Sequence, residues 1–129
     1  MNPPDLKYSK EHEWLRVEAD GTGVIGITEF ASESLGDVVF VELPEADGQI
    51  NQFEKMGEIE SVKAVSDLFS PISGHVLARN EELLDKPELV NDGPYDSGWL
   101  VKVKLEDTGE LDSLLTVTQY ESFLASQER

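Results

Sequence analysis

Short β-type segments separated by turn residues fill most of the chain, and this pattern limits the fold more than any other feature. In the final segment, apolar side chains occupy every second position from Trp99 to Leu105, as in a half-buried strand. The Asp20-Gly21 step between the first two segments is a strong hairpin signal. Closely spaced short strands of this kind predict a small barrel or sandwich. The predicted strands are residues 14–18, 23–27, 38–43, 49–53, 57–62, 64–69, 74–79 and 99–105.

Helices are predicted at the periphery of this β structure. Thr28 has the side chain of an N-cap, and Gly36 can adopt the left-handed conformation that ends a short helix. Thr118 and Glu121 have the spacing of a capping box and predict a C-terminal helix from that point. No linker-like stretch divides the sequence, so we expect one domain over residues 1–129.

The chain is strongly acidic, with 27 Asp and Glu against 10 Lys and Arg and a formal net charge of −17. Binding to a phosphate backbone requires Lys and Arg to displace counterions, so we expect no nucleic-acid partner. The same charge would be repelled by an anionic membrane, and no apolar run approaches the ~20 residues that a membrane span needs. The absence of cysteine excludes disulfides and thiolate metal sites, and His12 and His75 are too far apart to suggest another metal site.

Lys63 is conspicuous against this acidic background. It lies between Val62 and Ala64, and β-type segments run into it and away from it within residues 57–74. This arrangement predicts a hairpin with Lys63 near its tip. An exposed amine on a rigid support is what a modifiable carrier lysine requires. These residues alone predict a well-presented amine and nothing more specific.

Several blocks of sequence, in the same order, resemble the lipoyl-bearing H proteins of the glycine cleavage system. The block that contains Lys63 reads Glu-Ser-Val-Lys-Ala and is soon followed by Ser66 and Asp67. The resemblance implies a mainly β, barrel-sandwich hybrid fold like that of lipoyl and biotinyl domains, with short peripheral helices and a C-terminal helix. It also implies that lipoate is joined covalently to Lys63 through an amide, in an attachment hairpin around 57–74. The other matching blocks are residues 11–14, 26–28, 35–44, 87–91, 94–95 and 98–100.

The resemblance implies a carrier protein rather than an enzyme. Its lipoyl arm would take the aminomethyl group of glycine from a pyridoxal-phosphate-dependent glycine decarboxylase to a tetrahydrofolate-dependent aminomethyltransferase. A dihydrolipoamide dehydrogenase would then reoxidise the arm, which a lipoyl ligase or lipoyltransferase would first have attached. We expect a monomer in a bacterial cytoplasm, or in the mitochondrial matrix if the chain is a processed eukaryotic protein.

The loaded arm would carry a primary amine, cationic at neutral pH, on a carbon that can escape as formaldehyde. Shelter for this group requires a carboxylate beside the amine and surfaces that exclude water. In the family that the chain resembles, such a cleft lies beside an early strand and the residues just after the lipoyl lysine. The matching positions are Glu13 and Asp67, and we expect both carboxylates to line an aminomethyl-arm cleft.

Two further expectations concern charge and burial. The acidic residues of the predicted hairpin are expected to surround Lys63 with negative charge, so that its modification needs an activated donor and a ligase. These residues are Glu58, Glu60 and Asp67. Four large aromatic side chains are expected in the core, namely Trp14, Trp99, Phe40 and Phe69.

Four alternatives remain open at the level of sequence. An H-like protein could act mainly as a lipoate relay to other enzymes, which needs the same arm. A biotin carrier domain also modifies a hairpin lysine, but such domains typically flank it with methionines, where this chain has Val62 and Ala64. A lipoyl domain of an α-ketoacid dehydrogenase is smaller and usually tethered by flexible linkers. An acidic interaction module would carry no modification at all.

Overall fold

Residues 2–127 are described by the computed structural model, and their strands form two antiparallel sheets. In chain order the strands are β1 Lys7–Tyr8, β2 Glu13–Val17, β3 Thr22–Ile27, β4 Val38–Glu42, β5 Gln49–Ile50, β6 Lys55–Ser61, β7 Val65–Phe69, β8 Gly74–Arg79 and β9 Val101–Leu105. One sheet has the order β1-β2-β3-β9-β8-β5, and the other has the order β4-β6-β7. Neither sheet closes into a barrel within this range. The prediction of a mainly β, sandwich-like fold is confirmed.

Short helices connect and flank the sheets. They are α1 Glu29–Leu35, α2 Glu82–Asp85, α3 Leu89–Asp92, a 3-10 helix at Thr108–Ser113 and the C-terminal α4 at Val117–Gln127. Helix α1 has the predicted ends, because Thr28 Oγ1 accepts a hydrogen bond from the Ala31 amide at 3.3 Å and Gly36 has a φ of 78°. This helix borders the site described below.

Inward-facing aliphatic side chains of both sheets form the main core. The period-2 alternation of strands selects them, as on β6, where Ile59 is buried between the outward-facing Glu58 and Glu60. Burial of each such side chain contributes about 1.5–3 kcal/mol to folding. The larger sheet supplies Leu15, Ile25, Val76, Val101 and Val103, and the smaller sheet supplies Val41, Ile59 and Leu68.

An aromatic cluster attaches α4 to the larger sheet. Tyr120 of α4 stacks on Tyr8 of β1 with ring centroids 4.7 Å apart and an interplanar angle of 7°. Trp14 lies alongside, and its indole N–H donates to the carbonyls of Ile27 and Pro94 at 2.9 and 3.0 Å. The indole lies flat against Gly26, where any Cβ would overlap the ring. The cluster therefore explains how α4 is held without an extensive apolar face.

The predicted N-terminus of α4 is corrected by two residues. The reciprocal capping bonds join Thr116 and Gln119: Gln119 N donates to Thr116 Oγ1 at 3.2 Å, and Thr116 N donates to Gln119 Oε1 at 2.9 Å. Thr118 instead lies within the helix. A Gln serves in a capping box as well as a Glu, so two overlapping signals competed and the earlier one defines the helix.

The expected burial of the aromatic residues holds for one of the four. Trp14 is fully buried, whereas Trp99 and Phe69 are half-buried. Phe40 is 53% exposed, so its prediction as a core residue is wrong. The pairing of β4 with β6 shifts register between Val38 and Phe40, and this bulge turns two successive side chains outward.

Candidate functional site

The β6–β7 hairpin presents Lys63 on a tip that is held by its own side-chain and backbone contacts. Ser61 N donates to Ala64 O at 2.8 Å and closes the turn. Ser61 Oγ accepts from the amides of Lys63 and Ala64 at 3.3 and 3.1 Å. The side chain of Lys63 is exposed. The backbone below the amine is therefore fixed while the amine itself remains accessible.

A second set of contacts ties the tip to the segment after α1. The amide of Val62 donates to Asp37 O at 3.0 Å. The Asn91 side chain holds that segment from both sides, since it accepts from Val38 N at 2.9 Å and donates to Gly36 O at 2.8 Å. Asn91 thus anchors the segment against which the hairpin tip packs. Its sequence did not indicate this role.

A cleft of about 540 Å³ opens beside the tip. One wall is formed by residues 64–69, which run along β7 from the residue after Lys63. The opposite wall is formed by α1 and by the turn before β2. Its apolar lining includes Ile27, Phe30 and Leu35. The cleft therefore offers a partly water-excluding channel that begins next to the exposed amine.

Glu13 lies in this cleft with only 2% of its surface exposed. Ser9 Oγ donates to one carboxyl oxygen at 2.6 Å, and the Phe69 amide donates to the other at 3.2 Å. Burial raises the pKa of Glu13 to about 8 and outweighs the opposite effect of the two hydrogen bonds. At neutral pH, the Glu13 carboxyl is therefore mainly protonated.

Asp67 lines the same cleft and is exposed. The structure therefore brings Glu13 and Asp67 to one surface, although they are far apart in sequence. Asp67 also pairs with a neighbouring cation, because Lys55 Nζ lies 3.2 Å from Asp67 Oδ1 and 2.7 Å from Glu58 Oε2. Glu58 and Asp67, two of the residues expected to surround Lys63, thus pair with Lys55 and raise the pKa of Lys55.

Two residues of the site were not predicted to belong to it. Ser9 holds the Glu13 carboxyl, and the turn that brings them together is closed by a bond from His12 N to Ser9 O at 3.1 Å. His12 lines the cleft and has a left-handed φ of 70°. Its burial lowers the pKa of the imidazole. The sequence gives no local signal for this turn. A glycine usually marks a residue with a positive φ, but here that residue is His12.

Among residues 2–127, no group of three or more His, Cys, Asp and Glu side chains is arranged to hold a metal ion. In the same part of the chain, no helix combines the length and apolarity that crossing a bilayer requires.

A lysine on a rigid hairpin tip beside a channel with a buried carboxyl defines a carrier domain, a protein that presents a covalently attached group to other molecules. Comparison with known proteins agrees with this class and narrows it. The family model described as Glycine cleavage H-protein matches residues 6–127. The chain belongs to this family.

Individual relatives cover nearly the whole chain. The glycine cleavage system H protein of Staphylococcus carnosus strain TM300 is 56% identical over 122 residues, 95% of this chain and 96% of that protein. The H protein of Marinobacter nauticus strain ATCC 700491 is 51% identical over 126 residues, with 98% and 97% covered. A crystal structure of a glycine cleavage system H protein from Mycobacterium marinum superposes with a TM-score of 0.89 at 39% identity, covering 96% of this chain and 99% of that one. The predicted family and the predicted carrier role, without catalysis by the chain itself, are confirmed.

Proposed function

We propose that lipoate is attached through an amide to Lys63 and carries the aminomethyl group of glycine between the enzymes of the glycine cleavage system. The observation that carries this proposal is the exposed Lys63 on its fixed tip at the mouth of the cleft. The donor would be a pyridoxal-phosphate-dependent glycine decarboxylase, and the acceptor a tetrahydrofolate-dependent aminomethyltransferase. A dihydrolipoamide dehydrogenase would reoxidise the arm.

The dimensions and lining of the cleft suit such an arm. The five residues of β7 span about 16 Å at the usual strand rise, which is comparable to the reach of a lysine extended by an eight-carbon acyl chain. Ile27, Phe30 and Leu35 would contact the hydrocarbon part and exclude water. When bound, lipoate supplies a disulfide that is reduced on loading and a dithiol that is later reoxidised.

Glu13 and Asp67 are proposed to receive the amine of the loaded group. Arrival of a cationic amine would favour the ionised form of Glu13, which then gives up its proton. The resulting pair would be a charge-assisted hydrogen bond in a place with little water. Ser9 Oγ and the Phe69 amide keep the carboxyl oriented throughout. The amine is thereby held away from the water that would release its carbon.

Attachment is tested by intact mass after incubation with a lipoyl ligase, lipoate and ATP. The wild type should gain one lipoyl group, and Lys63→Arg should gain none. Lys86→Arg is the matched control, because Lys86 is also exposed and should be dispensable. A lipoyl gain on Lys63→Arg would overturn the assignment, and a biotinyl gain with a biotin ligase would favour the biotin-carrier alternative.

The glycine cleavage role is tested with the lipoylated protein, glycine and the decarboxylase. Gain of the aminomethyl mass supports it, whereas lipoylation without any loading would favour the relay alternative. We further propose one domain, a monomeric state and a cytoplasmic location, the last supported by the bacterial relatives. Sedimentation of the purified protein checks the monomer.

A further inference from the structure

Tyr120 lies outside the cleft and yet bonds to both segments that form one of its walls, the turn before β2 and the N-terminus of α1. It belongs to α4, more than 90 residues from the cleft residues it contacts, and its side chain is fully buried. The ring is fixed by the stack on Tyr8. The phenolic hydroxyl is therefore aimed by the packing of α4.

The hydroxyl of Tyr120 makes two hydrogen bonds of equal length. One joins it to His12 Nδ1 at 2.8 Å, and the other joins it to Thr28 Oγ1 at 2.8 Å. His12 directly precedes Glu13 in the turn before β2, and Thr28 caps α1. These two segments together form the wall opposite residues 64–69, and His12 and Phe30 are among its lining residues. A single oxygen atom thus connects the Glu13 turn with the N-terminus of α1.

Backbone pairing also connects these two segments. Glu13 lies opposite Ile27 in the β2–β3 ladder, and the Thr28 amide donates to His12 O at 3.0 Å. The imidazole of His12 packs on Phe30 with centroids 4.8 Å apart, and that ring belongs to α1. The ladder therefore fixes the backbone at Glu13, and side-chain contacts set how the turn before it lies against α1.

We propose that the Tyr120 hydroxyl is a positioning group that sets the Glu13 turn against α1 at the spacing the loaded amine requires. This inference rests on the proposed function of the cleft. It assigns to the C-terminal helix a part in retaining the cargo, although none of its side chains described by the structure lines the cleft.

The loss of cargo is a defined reaction. One water is consumed, the carbon–sulfur and carbon–nitrogen bonds of the aminomethyl group break, and the thiol, formaldehyde and ammonium are released without a change in oxidation state. Tyr120→Phe should speed formaldehyde release from the loaded protein about fivefold, the size expected for one lost hydrogen bond. Tyr8→Phe is the matched control. It removes a hydroxyl from the other ring of the same stack, and that hydroxyl donates to Pro3 O rather than to the cleft segments. Its release rate should equal that of the wild type.

A second measurement needs no attached arm. In the unmodified protein, hydrogen exchange at the Ala31 amide should be faster in Tyr120→Phe than in Tyr8→Phe, because Thr28 Oγ1 loses its orienting partner. Thr28→Ser keeps the oxygen and should match the wild type in both measurements. Thr28→Val removes the oxygen and should raise both the formaldehyde release rate and the Ala31 exchange rate, as Tyr120→Phe does. This second variant keeps the test usable if Tyr120→Phe folds poorly.

The outcomes separate this inference from the proposed function. If the wild type releases formaldehyde as fast as a short peptide bearing the same loaded lipoyl-lysine, the sheltering cleft is refuted. If the wild type protects its cargo and Tyr120→Phe protects it equally, with Ala31 exchange unchanged, the inference about Tyr120 is overturned and the cleft stands.

Discussion

The hairpin tip and the cleft beside it are built from contacts of different range. The turn at the tip is closed between Ser61 and Ala64, three residues apart. The cleft depends on bonds between Glu13 and Phe69, 56 residues apart, and between His12 and Tyr120, 108 residues apart. The turn at the tip is closed by local contacts, although Val62 also ties it to Asp37, whereas the cleft depends on the assembled fold throughout. The two regions should therefore respond separately to substitution.

The largest expected effect is on lipoylation, and it should leave the cleft that would shelter the cargo unchanged. Lys63→Arg should abolish lipoylation completely, because the guanidinium is not acylated by a ligase. The cleft should be unchanged, so the pH dependence of stability should match that of the wild type. Intact mass and denaturant unfolding check the two halves of this statement. A changed stability profile would show that tip and cleft are coupled.

The second effect concerns the pH dependence of folding through Glu13. Its folded-state pKa of about 8 lies above the ~4.3 of an unfolded glutamate. Between these values the folded protein binds a proton that the unfolded chain lacks, so this group's contribution is complete below about pH 4 and lost as pH rises through 8.

Glu13→Gln removes this dependence. The variant should equal the wild type near pH 4 and exceed its stability by on the order of 5 kcal/mol at pH 9. Urea unfolding at several pH values measures the difference. Glu18→Gln, in the residue that directly follows β2, is the control for the loss of one negative charge. Parallel stability curves for wild type and Glu13→Gln would contradict the raised pKa.

A smaller effect is expected on the loaded protein when both carboxyls become amides. Glu13→Gln with Asp67→Asn should raise the rate of formaldehyde release about tenfold, the factor for about 1.4 kcal/mol. Loading by the decarboxylase should remain possible, because Lys63 and its tip are intact. An unchanged release rate would remove these residues from the proposed shelter.

The smallest effect is expected at the tip. Ser61→Ala removes the oxygen that accepts from the Lys63 and Ala64 amides and should cost about 1 kcal/mol of stability. The kcat/KM of lipoylation should fall a few-fold as the turn loosens, by about the factor that this energy represents. The rate of cargo release should not change, and measurement of formaldehyde released from the loaded variant over time checks this. Faster release in this variant would show that the tip also shapes the cleft.

The sequence could predict the tip because its determinants are local. The period-2 alternation of a strand places Ile59 inward and its two glutamate neighbours outward, as observed. Thr28 and Gly36 likewise mark α1 by their own conformational preferences. Sequence resemblance, rather than physical pattern, pointed to Glu13 and Asp67.

The remaining features could not be predicted because they arise from distant chain segments. The pairing of Lys55 with Asp67 depends on the β6–β7 register, in which Glu58 lies opposite Asp67. The exposure of Phe40 depends on a bulge that no residue preference announces. The bond from Tyr120 to His12 requires α4 to be docked first, so nothing near either residue could indicate it.

Lys55 would compete with the proposed cargo for the cleft. Its ammonium already pairs with Asp67, so under the proposed function an arriving amine would exchange one cation for another there. Such an exchange would change the binding free energy little and would select for positive charge without holding the amine tightly. Glu13 would add retention, but only by releasing its proton. A carrier must both hold and release its cargo, and carboxyl groups that already have a partner would make the release easier.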